Sequence, residues 1–267
     1  ILNSNIVLLN NLKIEKFSFK NKEDINNAIE LIKKSKYKIS DINSKIYTRN
    51  PLGPFTTSTL QQTSSTKLGF GASRTMQIAQ RLYQGIDIEG DTVGLITYMR
   101  TDGTNISNDA VNDFRKFIKN SYGDNYLPKE PNNYSGKKAK NAQEAHEAIR
   151  PTDITKTPES LKKFLSVDQI KLYDLIWSRA LSSQMEAAKF DRKTITIVSN
   201  DSINQFKCSG STIKFDGFLK LTRIDENDDE KILPDVNKEE VSTNEFIDEQ
   251  HFTQPPPRYS EASLVKK

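Results

Sequence analysis

The sequence has a single cysteine, Cys208, and no apolar run that approaches the roughly 18 residues of a membrane-spanning helix. A lone cysteine excludes an internal disulfide and a zinc site made of several cysteines, and it fits a protein of the reducing cytoplasm. The first residues, ILNSNIVLLN, contain no basic segment and do not resemble a signal peptide. We therefore expect a cytoplasmic protein with no membrane association.

Motifs that bind nucleotides or metals are also scarce. No GxxxxGK(S/T) or GxGxxG sequence follows a predicted strand, so nothing supports a site of nucleotide hydrolysis. Asp87, Glu89 and Asp91 alternate like a ladder of metal ligands, but glycines flank them, and we interpret them as a solvated turn. We interpret the acidic residues 228–230 as loop solvation in the same way. The sequence predicts no metal site of its own.

The charge balance permits an anionic partner. The 267 residues carry a net charge of +4, which is mildly basic and does not by itself require nucleic acid. The length allows one large domain or two smaller ones. Because only 35% of the residues are hydrophobic and 28% are charged, we expect two modest cores rather than a single large one.

The hydrophobic pattern changes twice along the chain. Alternating apolar residues predict strands, with one helix, up to about residue 50, and PLGPF at 51–55 blocks both helix and sheet. Helical periodicity then dominates to about residue 186, after which strand patterns return. We interpret this as an α+β protein in which a mainly helical domain, residues 51–186, is inserted into a β-rich domain made of residues 1–50 and 187–257. Residues 258–267 resemble the start of another helix, so we expect a fragment of a longer protein.

The stretch GLITYMRTDGTN places Tyr98, Arg100 and Asp102 after an apolar run that predicts a strand. In an extended strand these three side chains point to the same face, together with Ile96 and opposite Met99. A tyrosine has an ordinary pKa of about 10, so a nucleophilic one needs a cation or base nearby, and arginine also binds phosphate through paired hydrogen bonds. The alternative is a tyrosine that only packs, beside an exposed Arg–Asp pair.

The stretch NAQEAHEAIRPT contains one of only two histidines and predicts a helix that ends before Pro151. On that helix Gln143, His146 and Arg150 share a face, because they are spaced three and four apart. Histidine and arginine together can hold a phosphodiester. The alternative is a surface helix on which neighbouring glutamates form local ion pairs.

The stretch FTTSTLQQ is rich in hydroxyls and amides at a predicted helix start. Backbone N–H groups there, together with the side chains of Thr56, Thr57 and Ser58, can donate to a phosphate. Ordinary N-capping of the helix is the alternative interpretation.

Six segments occur in the order found in bacterial type IA DNA topoisomerases, which the chain resembles from Pro51 onward and more weakly before it. The resemblance implies that Tyr98 attacks a phosphodiester of single-stranded DNA, forms a 5′-phosphotyrosine link and releases a 3′-hydroxyl that later reseals the strand without ATP. The segments are PFTTSTLQQ, KLGFGASRTMQIAQRLY, GLITYMRTDGTNIS, QEAHEAIRPT, QMEAAKFD and HFTQPPPRYSEASLVKK.

The resemblance also implies roles for other residues. Arg100 matches the residue that holds the scissile phosphate and supports the phenolate, and His146 matches a phosphate-contacting histidine. Gly103 stands where many members of the family have serine, which is a mild departure. Four more residues match motif positions near the site and are candidates for contacts with DNA or phosphate: Thr97, Asp102, Gln80 and Arg150.

Parts of the family's architecture are not found in this sequence. In the family, an acidic N-terminal domain binds Mg²⁺, so we expect Mg²⁺ in the full-length enzyme and no cofactor in this chain. The β-rich flanks correspond to the family's arch. The expected partners are single-stranded or negatively supercoiled DNA and that N-terminal domain, in a monomer. We expect the fragment alone to be inactive, and the alternative function is a non-catalytic module that binds single-stranded DNA.

Overall fold

The computed structural model combines helices and β-sheets in two compact units, which confirms the predicted α+β class. The interpretations of Gln143, of residues 228–230 and of the helix start at Ser260 lie outside the described residues. The structure describes residues 2–134, 146–222, 232–238, 240–242, 251–259 and the single positions 245, 247, 249 and 264.

The helices and strands are numbered in chain order. The strands are β1 (Asn5–Leu9), β2 (Leu12–Lys13), β3 (Tyr37–Arg49), β4 (Ile86–Ile88), β5 (Asp91–Val93), β6 (Ala188–Ser199), β7 (Gln205–Phe215) and β8 (Glu240–Val241). The α-helices are α1 (Lys22–Lys33), α2 (Thr57–Leu68), α3 (Ala72–Gln84), α4 (Asn108–Tyr122) and α5 (Val167–Ser183), and short 3₁₀ helices occupy Asp124–Tyr126 and Gly217–Lys220.

The first unit contains the described residues of Ile1–Thr48, Lys189–Phe215 and Asp225–Pro255. Within these residues a six-stranded sheet has the order β2-β1-β7-β6-β3-β8. One of its ladders is the antiparallel pair β6 and β7, in which Ile195 lies opposite Cys208. The alternating apolar residues of the strands and the apolar face of α1 form one core. The buried members of this core are Ile32, Tyr37, Ile39, Ile195, Ile197 and Cys208.

The second unit contains the described residues of Arg49–Ala188, Asp216–Ile224 and Pro256–Lys267. Helix α5 is the longest helix among the described residues and begins with a capping box formed by Ser166 and Gln169. The periodic apolar residues of α3, α4 and α5 face inward, because a stripe at every third or fourth position stays on one side of a helix. The buried members of these stripes include Ile78, Leu82, Phe114, Ile118, Leu172, Ile176 and Leu181.

The strand predicted across VGLITYMR is mostly absent. Strand β5 ends at Val93, and beyond it the extended pairing is a single bridge between Ile96 and Pro151. The prediction was wrong because the backbone here hydrogen-bonds to several separate partners, among them the carbonyl of Leu82 at the end of α3. The acidic stretch before it is a hairpin with a left-handed turn at Glu89 and Gly90, in keeping with the interpretation as a turn. Within the described residues, no helix is both long and apolar enough to span a membrane.

Candidate active site around Tyr98

Tyr98 lies between two other rings in the helical unit. The centroid of its ring is 5.4 Å from that of Tyr83 on α3 and 5.3 Å from that of His146, with interplanar angles of 65° and 63°. Such edge contacts orient an aromatic ring without covering it. Tyr98 is half-buried, and its hydroxyl makes no hydrogen bond to any described residue. The phenol oxygen is therefore held on an oriented ring and has no hydrogen-bond partner among the residues that the structure describes.

Thr97 joins the Tyr98 segment to the segment that carries His146. Its N–H donates to the carbonyl of Arg150 (2.9 Å), and its hydroxyl donates to the carbonyl of Ala148 (2.7 Å). The same hydroxyl accepts the N–H of Arg150 (3.0 Å). These bonds use the hydroxyl's proton and one of its lone pairs within the protein. The observed role of Thr97 is thus to connect two segments, and its contact with phosphate stays a prediction.

The segment after Tyr98 is held by the first residue of α2. The hydroxyl of Thr57 lies 2.8 Å from the carbonyl oxygen of Met99 and 3.0 Å from that of Thr101, and it accepts the N–H of Thr101 at 2.8 Å. The N–H of Thr57 also donates to the carbonyl of Thr101 (2.8 Å). Met99 and Thr101 are buried, while Arg100 between them is exposed. The backbone is therefore fixed on both sides of Arg100.

Arg100 and Asp102 project toward solvent. Neither forms an ion pair or a side-chain hydrogen bond within the part of the chain that the structure describes. The exposed Arg–Asp pair proposed as an alternative is therefore not formed. The predicted common face holds only in part, because Ile96 is buried while Tyr98 is half-buried. The guanidinium of Arg100 is available to an anion.

The segment His146–Arg150 is extended and not helical, so the predicted helix was wrong for its described part. The N–H of Ala148 donates to the carbonyl of Asn105, and the N–H of Ile149 donates to that of Phe55. These bonds to distant segments replace the bonds of a helix, and they allow Ala148 and Ile149 to be completely buried. His146 and Arg150 therefore do not share a helical face.

Arg150 and His146 differ in their surroundings. The guanidinium of Arg150 donates to Glu147 (2.8 Å), to the carbonyl of Pro151 (3.0 Å) and to the hydroxyl of Ser107 (3.5 Å), and only 13% of its side chain is exposed. The local ion pair with Glu147 follows the alternative interpretation. The side chain of His146 is exposed, and within the described residues its imidazole makes only the ring contact with Tyr98. Of the two predicted phosphate ligands, His146 is the more accessible.

Gly103 lies where the backbones of two segments meet. A Cβ atom at this position would lie 2.1 Å from the carbonyl oxygen of His146, far inside van der Waals contact. The N–H of Gly103 donates to the hydroxyl of Thr101 (2.9 Å), which in turn donates to that same carbonyl (3.1 Å). The glycine therefore allows the close approach that brings His146 beside Tyr98.

Helix α3 contributes a face next to the phenol. Tyr83 contacts Tyr98, and Gln80 lies one turn before Tyr83 on the same side of the helix. Gln80 is half-buried and has no side-chain hydrogen bond within the described residues. Tyr83 was not among the predicted site residues, although its helical spacing of three from Gln80 is a signal that places it on the same face.

The N-terminus of α2 is capped by side chains of its own first residues. Thr56 and Thr59 form a capping box, in which the N–H of Thr59 donates to the hydroxyl of Thr56 and the N–H of Thr56 donates to the hydroxyl of Thr59. The interpretation as N-capping is therefore confirmed. The connections from Thr57 to Met99 and Thr101 were missed, because no local pattern shows which loop a hydroxyl will meet.

No group of three or more histidine, cysteine, aspartate or glutamate side chains that could hold a metal occurs among the described residues. The described residues around Tyr98 do not fit a Mg²⁺ site either, because Asp102 is the one carboxylate from Leu95 to Gly103 and Glu147, next to His146, is paired with Arg150. Carboxylate and carbonyl oxygens are what Mg²⁺ needs from a protein. The chemistry available at this site is that of a phenol, a guanidinium and an imidazole.

Comparison with known proteins places these residues in context. A family model described as DNA topoisomerase matches residues 2–267. DNA topoisomerase 1 of Rickettsia felis is 52% identical over 264 residues, which is 97% of this chain and 34% of that protein. DNA topoisomerase 1 of Haemophilus influenzae is 46% identical over 257 residues, which is 96% of this chain and 28% of that protein.

A solved structure supports the same relationship. Full-length topoisomerase I from Thermotoga maritima is 32% identical and superposes with a TM-score of 0.76, covering 99% of this chain and 41% of that chain. The chain thus spans about a third of the length of the curated relatives that it matches.

Proposed function

Because the chain belongs to the family of bacterial DNA topoisomerase I proteins, we propose that it carries the nucleophile of a type IA enzyme and that this nucleophile is Tyr98. The observation that supports the proposal most directly is the phenol itself. It is oriented by Tyr83 and His146, and its hydroxyl has no partner among the described residues. Arg100, whose side chain has no partner among the same residues, follows two residues later. A nucleophilic tyrosine needs a free oxygen and a nearby cation.

The proposed reaction conserves the phosphodiester bond. The phenol oxygen of Tyr98 attacks a phosphorus atom of one DNA strand and loses its proton, and the bond between that phosphorus and the 3′-oxygen breaks. The 3′-oxygen takes up a proton and leaves as a hydroxyl, while the 5′-phosphate stays on the tyrosine. After another strand has passed, the 3′-hydroxyl attacks the phosphotyrosine and restores the strand. Each step exchanges one phosphodiester for another, so ATP is not needed.

We propose that Arg100 and His146 stabilise the negative charge of the attacked phosphate. The attacked phosphate gains negative charge in the transition state, and fixed cations or donors beside it lower the barrier. Arg100 has no competing carboxylate within the described residues, and His146 is exposed beside the phenol. The contacts of Arg150, Thr97, Asp102 and Gln80 with DNA remain part of this proposal. For Arg150 and Thr97, their existing bonds favour a role in holding the two segments together.

The complete activity requires more than this chain. We propose that the whole enzyme relaxes negative supercoils in the bacterial cytoplasm as a monomer, and that an N-terminal domain of the same protein binds Mg²⁺. Within the described residues no set of side chains suits such a metal. On this proposal the chain alone does not relax supercoiled plasmid, because the cleavage site is shared with the other domain.

The test uses the full-length enzyme that contains this segment and an oligonucleotide labelled at one end. A 5′-phosphotyrosine link leaves the 3′-terminal piece attached to the protein, so a 3′ label should move with the protein on a denaturing gel. A 5′ label should instead appear on a shorter, free fragment. Tyr98→Phe should give neither product, because it lacks the phenol oxygen.

Three outcomes would contradict parts of the proposal. Attachment of the 5′ label would mean the opposite polarity of cleavage. Equal binding of DNA by the wild type and Tyr98→Phe with no adduct in either would favour a non-catalytic module that binds single-stranded DNA. Relaxation of plasmid by the isolated 267-residue chain would overturn the expectation that a second domain is needed.

A further inference from the structure

Thr57 makes more contacts with the Tyr98 segment than its place at a helix start requires. Its N–H and hydroxyl together reach both polar backbone groups of Thr101 and the carbonyl of Met99, at distances of 2.8 to 3.0 Å. A hydroxyl has one proton, so it donates to one of the two carbonyls at a time while it accepts the N–H of Thr101. These contacts bracket Arg100 on both sides.

Helix capping does not explain these contacts. The capping box of α2 is formed by Thr56 and Thr59, and it uses neither polar group of Thr57. The hydroxyl of Thr57 can therefore be removed without removing the cap. Removal of this hydroxyl would break the side-chain connection between α2 and the backbone on either side of Arg100.

The connection continues from Thr101 to His146. The hydroxyl of Thr101 donates to the carbonyl of His146 (3.1 Å) and accepts the N–H of Gly103 (2.9 Å). A series of hydrogen bonds thus runs from Thr57 through Thr101 to His146. It links the segment that holds the phenol and the guanidinium to the segment that holds the imidazole. Side-chain hydrogen bonds of this kind fix an irregular segment that has no ladder of its own.

We infer that Thr57 is a positioning residue of this site, which holds Arg100 and, through Thr101, His146 in place around Tyr98. This inference rests on the proposed function, because the geometry matters for catalysis only if Tyr98 is the nucleophile. Thr57 itself does not contact the reacting atoms. Its loss moves the groups that do, and displacements of about 1 Å in such groups can slow a reaction by about a hundredfold.

The structural part of the test uses this chain and its two histidines. Their ring-proton NMR signals are told apart by His146→Gln, and His251 serves as an internal reference because it is exposed and remote in sequence. In Thr57→Val we expect the His146 signals to move, because the neighbouring ring of Tyr98 shifts them. We also expect the amide of Thr101 to exchange with solvent about tenfold faster, because its acceptor is gone.

Three further variants separate the steps. Thr57→Ser keeps the hydroxyl and should preserve both signals. Thr66→Val is the matched control in the same helix, where the hydroxyl only bonds back to α2 itself. Thr101→Val removes the bond to His146 but keeps the backbone bonds to Thr57, so the His146 signals should move while the amide of Thr101 stays protected.

The catalytic part uses the full-length enzyme and the labelled oligonucleotide described above. Thr57→Val should form the adduct about ten to one hundred times more slowly, with little change in the concentration of DNA that gives half the maximal rate. Thr57→Ser should restore the rate, and Thr66→Val should not change it. In the isolated 267-residue chain, unfolding followed by the fluorescence of Trp177, its only tryptophan, checks that each variant is folded.

The outcomes distinguish this inference from the proposed function. If the wild type forms the adduct and Thr57→Val does so at the same rate, the inference is wrong while the proposed function stands. Unchanged His146 signals and Thr101 exchange in Thr57→Val would also overturn it. If the wild type forms no adduct at all, the proposed function fails and the catalytic meaning of the Thr57 contacts fails with it.

Discussion

The six-stranded sheet and the segment from Leu95 to Gly103 are held in place in different ways. In the sheet, β6 and β7 form ten residue pairs. Each residue of this ladder is therefore held by the backbone hydrogen bonds of its neighbours as well as by its own. In the segment that carries Tyr98, a bridge at Ile96 is followed by contacts that come mainly from hydroxyl groups. Removal of one side chain should therefore matter little in the sheet and much in the segment.

The segment from Leu95 to Gly103 differs from a regular strand in how its backbone is bound. A regular strand points alternate residues to opposite faces and binds its backbone along its whole length. Here Met99 and Thr101 are buried while Arg100 is exposed, yet their carbonyls are bound by Thr57 and not by a strand. Among the described residues, no strand pairs with the backbone from Met99 to Thr101. Four predictions test the comparison, in order of expected effect.

The largest effect should come from the buried part of the His146 segment. Ile149 is completely buried, so Ile149→Ala should lower the free energy of unfolding by about 2–5 kcal/mol, through lost burial and the cavity that remains. Urea unfolding followed by Trp177 fluorescence measures this change. Ile46→Ala, at a position of the sheet that is 65% exposed, should change stability by less than about 0.5 kcal/mol. Equal losses in the two variants would show that Ile149 is not packed as described.

The second effect concerns the close approach at Gly103. In Gly103→Ala the new methyl group would meet the carbonyl of His146, so the segment must shift, and we expect a loss of about 1–3 kcal/mol. The neighbouring Asp102→Ala removes an exposed side chain without such contacts and should be nearly neutral in stability. Urea unfolding and the His146 NMR signals report both changes. A fully stable Gly103→Ala with unmoved His146 signals would contradict the prediction.

The third effect compares one substitution in the two regions. Thr97→Val leaves the carbonyl of Ala148 and the N–H of Arg150 without their partner and should cost about 1–3 kcal/mol. Thr194→Val in β6 loses one exposed hydroxyl pair with Ser209 and should stay within about 0.5 kcal/mol of the wild type. Thermal and urea unfolding of both variants measure the difference. If both cost the same, the contrast between ladder and hydroxyl contacts does not hold.

The smallest effect is a dependence on alkaline pH at Tyr134, another residue held by bonds from its side chain to the backbone. Its hydroxyl lies 2.9 Å from the carbonyl oxygen of Ser183 and 3.1 Å from that of Pro51, and burial raises the pKa of Tyr134 to about 12, although Arg179 nearby opposes the shift. Because the folded pKa lies above the unfolded value of about 10, the stabilisation is complete below pH 10 and is lost as the pH rises toward 12.

Between about pH 10 and pH 12 the free energy of unfolding should therefore fall less in Tyr134→Phe than in the wild type. We expect a difference of about 1 kcal/mol between the two falls, once solvent screening of this half-buried group is allowed for. Urea unfolding at a series of pH values measures the slope. An identical slope in Tyr134→Phe would contradict the assignment.

The sequence by itself determined the regular elements and the identity of the candidate nucleophile. Helical periodicity predicted a mainly helical region over residues 51–186, which contains α3, α4 and α5, because helix formation depends on residues close in the chain. The ordered motifs around Tyr98 indicated the family, which the comparisons confirm.

Only the tertiary structure decided the geometry of the site. Tyr83 is brought to Tyr98, Thr57 to Met99 and Thr101, and Gly103 to His146 by contacts between segments far apart in sequence. The predicted strand at Tyr98 and the predicted helix at His146 failed for the same reason. In both places the backbone N–H and C=O groups hydrogen-bond to backbone groups far away in sequence, and those bonds outweighed the local periodicity on which the predictions depended.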